Sequence, residues 1–186
     1  MMLPRAEVSA KRINEVLDTE DKIIEGNITK GSEVGTVEFK NVSFKYPDGD
    51  EEVLKNISFK ANKGETVAII GSTGSGKSTL VSLIPRFYDV TEGQVLVNGK
   101  DVREYKVENL RSKVGMVPQK AVLFHGTIRD NMKMGREDAS DEEIFAALKT
   151  AQALEIVENK PGKLDTVLSE GGKNLSGGQR QRLTIA

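Results

Sequence analysis

Three features of the sequence predict an α/β fold for this chain of 186 residues. First, residues 36–59 contain two apolar runs at strand spacing that are separated by a turn, as in an antiparallel sheet. Second, the short apolar run 66–70 is followed directly by a glycine-rich loop and a segment of helical periodicity. Third, strand and helix patterns both continue from there to the end of the sequence. One domain is expected at this length, with an N-terminal extension.

The predicted antiparallel sheet opens the main part of the chain. Its apolar residues alternate at Val37 and Phe39 and then skip a position before Val42, as at a β-bulge. The run 66–70 is expected to be a buried parallel strand, because it is largely apolar. The later expected elements are a helix at 77–87, strands at 94–97 and 114–117, a short helix capped by Thr127, a helix at 141–153 and a last helix from Ser176.

Residues 1–32 differ in character from the rest of the chain. Val8, Ile13, Val16 and Leu17 are spaced to share one face of a helix, and polar breaks follow this segment. Two interpretations fit the pattern at this point: a linker to a preceding domain, or an ordinary N-terminal helix packed on its own domain.

Composition and charge exclude several classes of function. The chain has 27 basic and 28 acidic residues and a net charge of −1, which excludes a strongly basic arm for nucleic acid. It has no cysteine and one histidine, which excludes disulfides, iron–sulfur clusters, thiolate zinc sites and multi-histidine metal sites. No apolar run approaches the roughly 18 residues of a membrane span, so no spanning segment is predicted.

The glycine-rich segment 71–79 (GSTGSGKST), the phosphate loop, matches the pattern G-x-x-x-x-G-K-[ST] without deviation. Its glycines allow backbone N–H groups to point at a phosphate, and the start of the following helix adds partial positive charge. Lys77 is predicted to reach the β- and γ-phosphates, and Ser78 to place its hydroxyl on Mg²⁺. The phosphate loop therefore predicts a nucleoside triphosphate site, without indicating what work is done.

A second glycine-rich helix start, the signature segment, lies at 175–179 (LSGGQ). Ser176 is a candidate helix cap, and the glycines permit close approach of an anion. A serine-capped helix after a glycine loop is ordinary by itself, but its combination with a phosphate loop is not. Here the sequence resembles a known family, because LSGGQ is the signature of ATP-binding cassette (ABC) ATPases. The resemblance runs from about residue 35 to residue 186.

Further residues match that family in order along the chain. Tyr46 stands where the family places an aromatic residue that stacks on adenine, and Gln119 matches the glutamine that touches Mg²⁺ and the attacking water. The segment 166–172 (TVLSEGG) resembles the loop that precedes the signature in exporters. Glu170 fits the acidic position of that loop, whereas Ser169 stands where a glycine is usual.

The subfamily that the sequence resembles is the exporter type, with fused membrane and ATPase domains. Residues 118–131 resemble the exporter pattern P-Q-x-x-x-L-F-x-G-T-I-x-x-N, and residues 9–18 resemble the segment that joins the last membrane helix to the ATPase domain. The resemblance implies that 1–32 is a linker from a transmembrane domain and that 33–186 is an incomplete ABC domain. Its helical subdomain is expected at about 120–164, and its signature helix from Ser176.

The resemblance also implies a mechanism, with ATP and Mg²⁺ as cofactors. Two ATPase domains would meet head to tail at the cytoplasmic face of the membrane, sandwiching ATP between one phosphate loop and the partner's signature, and Gln119 would sense the transmembrane domain. No nucleic acid partner is implied. Lys77 and Gln119 would be catalytic, and Ser78 and Gln119 would bind the metal. The nucleotide would contact Tyr46, Gly71, Ser72, Thr73, Gly74, Ser75, Gly76, Lys77, Ser78, Thr79 and Gln119, and in trans Ser176, Gly177, Gly178 and Gln179.

In the family, a metal-binding aspartate, a catalytic glutamate and a switch histidine follow the signature, and the sequence given does not contain them. The lone histidine, His125, precedes the signature and is expected to be a surface or coupling-loop residue. The 186-residue piece is therefore expected to be inactive by itself and prone to aggregate at an open sheet edge. Alternatives left open are a non-hydrolysing nucleotide-binding remnant, a degenerate half of a heterodimeric exporter, and a soluble ABC ATPase of DNA repair or translation.

Overall fold

The computed structural model describes residues 3–18, 23–32 and 34–186. The chain divides into two compact units, Met1–Gly115 and Met116–Ala186, which are described separately. Within the described residues, no helix has both the length and the apolar character needed to cross a membrane.

The first unit is built on a four-stranded sheet of β1 (Val37–Phe44), β2 (Leu54–Ala61), β3 (Glu92–Val97) and β4 (Lys100–Asp101). The strands lie in the order β2-β1-β3-β4. The strands β1 and β2 are antiparallel, and the register shifts between Phe39 and Val42 confirm the predicted bulge. β3 pairs antiparallel with the other edge of β1. The other elements of this unit are α1 (Leu3–Leu17), α2 (Lys77–Leu83), a 3₁₀ turn (Val102–Glu104) and α3 (Val107–Arg111).

The core of the first unit lies between the sheet and α2. Phe39 of β1 stacks on Phe59 of β2 with ring centroids 4.7 Å apart. Leu80 and Leu83 bring the apolar face of α2 into the same cluster. Burial of this face, more than helix propensity, stabilises a helix of only seven residues. This packing also fixes the position of residues 77–79, the last part of the phosphate loop, because they form the start of α2.

The predicted strands at 66–70 and 114–117 do not form. Neither segment is a strand in the structure, and Ile70 is 93% exposed. A parallel strand needs neighbours that exchange backbone hydrogen bonds with it, and no described residue forms a ladder with either segment. The apolar composition of each segment indicated a buried strand, but composition does not show whether another strand pairs with it.

Two predicted helices are shorter than their patterns indicated. The helix predicted at 77–87 ends at Leu83, because Pro85 has no N–H to donate to the preceding turn and Arg86 adopts a left-handed φ of 54°. The helix predicted at 141–153 ends at Thr150, just before Gln152 at φ 55°. A separate short helix then begins at residue 154.

The second unit is mainly helical and carries a two-stranded antiparallel ribbon. Capping boxes open three of its helices, at Thr127, Ser140 and Ser176. The caps predicted at Thr127 and Ser176 are thereby confirmed. Its elements are β5 (Gly126–Thr127), α4 (Ile128–Lys133), α5 (Asp141–Thr150), α6 (Leu154–Glu158), a 3₁₀ turn (Lys163–Asp165), β6 (Val167–Leu168), a 3₁₀ turn (Glu170–Gly172) and α7 (Gly177–Ile185).

A single apolar cluster holds the second unit together. Leu148 of α5, Val157 of α6 and Leu183 of α7 are all buried in it. Leu175, the first residue of the signature segment, is also buried there. The signature helix is therefore anchored through its apolar residues, which leaves its glycines at the surface.

Candidate functional site

The phosphate loop is a tight turn of backbone that opens directly into α2. The N–H of Ser75 donates to the carbonyl of Ser72 over 3.2 Å, and Gly74 and Gly76 adopt left-handed φ values of 85° and 83°. A Cβ at Gly76 would lie 2.8 Å from a side-chain carbon of Leu54, so the loop is pressed against β2. A Cβ at Gly74 would meet nothing within 4 Å. The loop thus has a packed base and an open tip.

Lys77 lies at the first turn of α2 and folds its ammonium back over the phosphate loop. Its Nζ donates to the carbonyls of Gly71 and Ser72 over 2.8 and 2.6 Å, and to the hydroxyl of Ser75 over 3.3 Å. These contacts place a positive charge within the curve of the loop. A phosphate in that curve would meet both the ammonium and the backbone of the loop.

Ser78 and Thr79 point to different surroundings. Ser78 is exposed, whereas Thr79 is buried and shares a hydrogen bond of 2.9 Å with the hydroxyl of Tyr46. Tyr46 and Thr79 are 33 positions apart in the sequence. The structure therefore brings Tyr46, the predicted base-stacking residue, to the phosphate loop through a direct side-chain contact.

Gln119 belongs to the second unit, where it lies exposed beside the signature helix. It lines a cavity of about 540 Å³ together with Gly177 and Arg180 of α7 and Lys173. Its carboxamide oxygen is a hard ligand of the kind that Mg²⁺ prefers. Within its own unit, the structure thus brings Gln119 close to the start of the signature helix.

The signature segment is locked at its first turn by reciprocal hydrogen bonds. The N–H of Ser176 donates to Oε1 of Gln179 over 3.0 Å, and the N–H of Gln179 donates to Oγ of Ser176 over 3.2 Å. A Cβ at Gly177 or Gly178 would have nothing within 4 Å beyond the backbone of its own helix. Because alanine is a better helix former than glycine by about 1 kcal/mol, packing within this chain gives no reason for either glycine. The open backbone suits an external group.

Comparison with known proteins decides the family. The family model described as "ABC transporter" matches residues 54–186 of the chain. The chain belongs to the ABC transporter family. Its described fold is the nucleotide-binding fold of that family, as the sequence predicted.

Several relatives of this ABC domain are much longer proteins. The chain is 49% identical over 187 residues to the uncharacterized ABC transporter ATP-binding protein YfiB of Bacillus subtilis, covering 100% of the chain and 32% of that relative. It is 46% identical over 172 residues to the ATP-dependent lipid A-core flippase of Haemophilus influenzae, covering 92% and 29%. The chain thus spans about a third of the length of these relatives.

A solved structure matches almost the whole of this chain. A bacterial Atm1-family ABC exporter with ATP bound is 36% identical and superposes with a TM-score of 0.88. The match covers 98% of this chain and 32% of the exporter chain. The predicted fold class is therefore confirmed.

The loop before the signature of this ABC domain accommodates its departure from the family pattern. Ser169 has an ordinary φ of −72°, so its backbone conformation does not require glycine. Its hydroxyl also contacts Asn174 Oδ1 at 3.2 Å. The positive φ values in this loop fall instead on Gly171 and Gly172.

One group of residues near Tyr46 in this ABC domain was not predicted from the sequence. Tyr88 packs against Tyr46 with ring centroids 5.2 Å apart. Arg86 and Asp89, which flank Tyr88 in the sequence, form an ion pair. The only sequence signal was an aromatic pair, Phe87 and Tyr88, between charged residues after a helix. That pattern does not indicate which strand residue the tyrosine contacts.

Proposed function

We propose that this chain binds ATP and Mg²⁺ and couples ATP hydrolysis to transport by an ABC exporter of which it is the nucleotide-binding domain. One observation carries the proposal: a phosphate loop with its lysine folded over it occurs together with a second helix start whose glycines serve no packing purpose in their own chain. The first feature suits a triphosphate. The second suits a group that arrives from outside the chain.

The proposed roles follow from the chemistry of each side chain. Lys77 offsets the negative charge that the transferred phosphate carries in the transition state. Tyr46 stacks on the base, because it is half-buried and directly linked to the phosphate loop. The loop residues Gly71, Ser72, Thr73, Gly74, Ser75, Gly76 and Thr79 complete the triphosphate site.

The donors proposed for Mg²⁺ fit that ion. Ser78 offers a hydroxyl oxygen and Gln119 a carboxamide oxygen, and both side chains are exposed. Mg²⁺ takes few protein oxygen ligands and keeps several of its waters and phosphate oxygens. Within the described residues, no group of three or more acidic or histidine side chains could hold a metal by itself. The ion would supply charge neutralisation at the phosphates when bound.

The partners proposed for this chain are a second ABC ATPase domain and a transmembrane domain of the same polypeptide. Ser176, Gly177, Gly178 and Gln179 would face the nucleotide held by the second domain. The names of several relatives join the words "ATP-binding" and "permease", which supports a fused membrane domain. The ATPase domain would then lie at the cytoplasmic face of the membrane.

The N-terminal helix supports the first part of the proposed linker at 1–32, whereas Gly26 and Ile28 hydrogen-bond to residues 104–106 of the first unit. The apolar side chains predicted to share one face of α1 are all more than half exposed, from 54% at Val8 to 75% at Leu17. A helix packed on its own domain would bury that face. We propose that residues 33–186 form the ABC domain, with its helical subdomain at about 120–164.

Substitution of the loop lysine tests the proposed activity. In the intact protein that carries this chain, Lys77→Ala should reduce ATP hydrolysis by roughly 10²–10³-fold, the cost of removing one preorganised charge-stabilising group. Lys63→Ala, in a turn outside the phosphate loop, is the matched control and should retain activity. Hydrolysis by Lys77→Ala at a rate close to that of the wild type would contradict the assignment. A wild-type protein that binds ATP without turnover would instead be a non-hydrolysing domain.

A further inference from the structure

Tyr46 is held by an aromatic cluster in the first unit. Its ring meets Phe44 at a centroid distance of 4.8 Å and Tyr88 at 5.2 Å, with interplanar angles of 82° and 88°. Phe44 and Tyr88 also contact one another at 5.6 Å. Edge-to-face pairs of this kind contribute beyond the area they bury. The two neighbours therefore restrict the ring of Tyr46 from more than one direction.

The hydroxyl of Tyr46 is held by a separate hydrogen bond. The hydroxyl of Tyr46 lies 2.9 Å from the hydroxyl of Thr79, which is only 7% exposed. A tyrosine side chain has two torsions that set its ring, and the ring contacts together with this hydrogen bond restrain both. Contacts within the chain itself thus preorganise the ring of Tyr46.

Tyr88 is fixed by the residues on either side of it. The guanidinium of Arg86 donates to both carboxylate oxygens of Asp89, over 2.6 and 2.9 Å. The side chain of Arg86 is 2% exposed and the residue adopts a left-handed φ of 54°. A bidentate pair whose guanidinium is buried and whose carboxylate is 33% exposed restrains the turn between its two residues. Tyr88 lies inside that turn, so its ring is presented to Tyr46 by a rigid support.

We propose that Tyr88 and Thr79 are positioning residues that fix the ring of Tyr46 for stacking on the nucleotide base. The inference deepens the proposed function and rests on it, because Tyr46 is assigned to the base there. Tyr88 acts through Tyr46 and not on the phosphates. Binding of ATP should therefore depend on Tyr88, whereas binding of a triphosphate that has no base should not.

The first experiment compares two probes, Mg-ATP and inorganic tripolyphosphate with Mg²⁺, by titration calorimetry on the intact protein. Tyr88→Leu should raise the Kd of ATP by about two- to tenfold, the range expected for loss of an aromatic pair, and leave the Kd of tripolyphosphate unchanged. Tyr88→Phe keeps the ring and should bind ATP like the wild type. Equal weakening of both probes would mean a merely structural role and would overturn the proposal, as would no effect on either.

Phe87→Leu is the matched control for this experiment. Phe87 is the neighbouring aromatic residue and is 44% exposed, close to the 40% of Tyr88. Its ring lies 5.2 Å from the guanidinium carbon of Arg111. Phe87→Leu should leave both affinities unchanged. A loss of ATP affinity equal to that of Tyr88→Leu would assign the effect to the turn in general and contradict the specific role of Tyr88.

The second experiment does not require a change at Tyr88. Tyr46→Phe keeps the stacking ring and removes its hydroxyl, so the Kd of ATP should rise by about two- to tenfold, as for one lost hydrogen bond. In a Thr79→Val background the same change should have no further effect, because the partner hydroxyl is already gone. Additive effects of the two changes would overturn the role of Thr79.

Tyr46→Ala separates failure of this inference from failure of the proposed function. If it leaves the affinities for both probes unchanged, Tyr46 is not the base-stacking residue, and the proposed site and the inference fail together. If it weakens ATP alone while Tyr88→Leu and Tyr46→Phe have no effect, the site stands and only the positioning role is overturned.

Discussion

At Gly93, the backbone of β3 passes so close to β1 that a side chain has no room. A Cβ there would lie 2.3 Å from the carbonyl oxygen of Asn41 and 2.4 Å from that of Lys40. The residue also has a φ of 79°, which disfavours any L-residue with a side chain. The β1–β3 register shifts between Lys40 and Ser43, beside this contact. Glycine at this position is therefore a requirement of the fold.

We predict that Gly93→Ala lowers the free energy of unfolding by about 3 kcal/mol, since it combines a steric clash with backbone strain. Gly64→Ala is the matched control: Gly64 has a φ of 83°, but its Cβ would meet nothing within 4 Å. That variant should lose only the roughly 1 kcal/mol of the left-handed conformation. Chemical denaturation followed by circular dichroism measures both. Equal losses would show that the close approach to β1 does not matter.

At the scale of secondary-structure elements, capping boxes define the starts of the helices in the second unit. In α5, the N–H of Ser140 donates to the carboxylate of Glu143 over 2.9 Å, and Ser140 Oγ accepts from the N–H of Glu143. The hydrogen bond from the Ser140 backbone and the ion pair with Arg136 lower the pKa of Glu143 below its usual 4.5. The same kind of cap, made by Thr127, lowers the pKa of Asp130.

These caps predict a loss of stability in acid. A carboxylate with a lowered pKa in the folded state contributes its full stabilisation above its unfolded pKa, and the contribution is lost as the pH falls through the folded pKa. The free energy of unfolding should therefore decrease as the pH is lowered below about 4.5. Glu143→Gln keeps an acceptor for the Ser140 N–H but does not titrate, so its acid dependence should be shallower.

The measurement is the denaturation midpoint of wild type and Glu143→Gln between about pH 3 and pH 7. Glu137→Gln changes an exposed glutamate outside the capping boxes and serves as the control. Parallel pH curves for wild type and Glu143→Gln would contradict the contribution of the cap.

The segments 66–70 and 114–117 give a second prediction at the scale of elements. Neither has a strand partner among the described residues, in contrast to β1, which has neighbours on both edges. Backbone amides without ladder hydrogen bonds exchange with solvent through small local fluctuations. In the 186-residue chain, amides of 66–70 should exchange roughly a hundredfold or more faster than those of β1. Hydrogen exchange read by mass spectrometry tests this, and equal protection would indicate a ladder partner.

At the scale of the whole molecule, the proposed assembly places two different motifs at each ATP. If two copies of this chain meet head to tail, a phosphate loop from one copy and a signature segment from the other complete each site. Lys77→Ala removes the first component and Gly178→Val removes the second. Each variant alone would then contain only defective sites.

We predict that mixing these two inactive variants restores ATP hydrolysis. In a mixed dimer both defects fall on one site, and the other site keeps an intact Lys77 and an intact Gly178. Random mixing makes half of the dimers mixed, so independent sites should recover about a quarter of wild-type activity. Steady-state hydrolysis by the co-assembled intact proteins measures this. A mixture that is as inactive as each variant alone would contradict independent sites completed in trans. The control is the protein in which both copies carry Lys77→Ala, which should stay inactive.

The sequence by itself determined the motifs and the elements that depend on local chemistry. The phosphate loop, the signature segment and the caps at Thr127 and Ser176 were predictable, because glycine conformation, side-chain capping and helix starts involve residues that are close in the chain. The β1 bulge was also predictable from its broken alternation of apolar residues.

Only the tertiary structure decided which distant residues meet. Apolar composition predicted strands at 66–70 and 114–117, but a strand exists only where another strand pairs with it. The contacts of Tyr46 with Thr79 and Tyr88 could not be predicted from the sequence either. They depend on how β1 and α2 pack and not on spacing along the chain. Hydrogen-bond pairing and side-chain packing are long-range interactions, so they are settled by the folded chain as a whole.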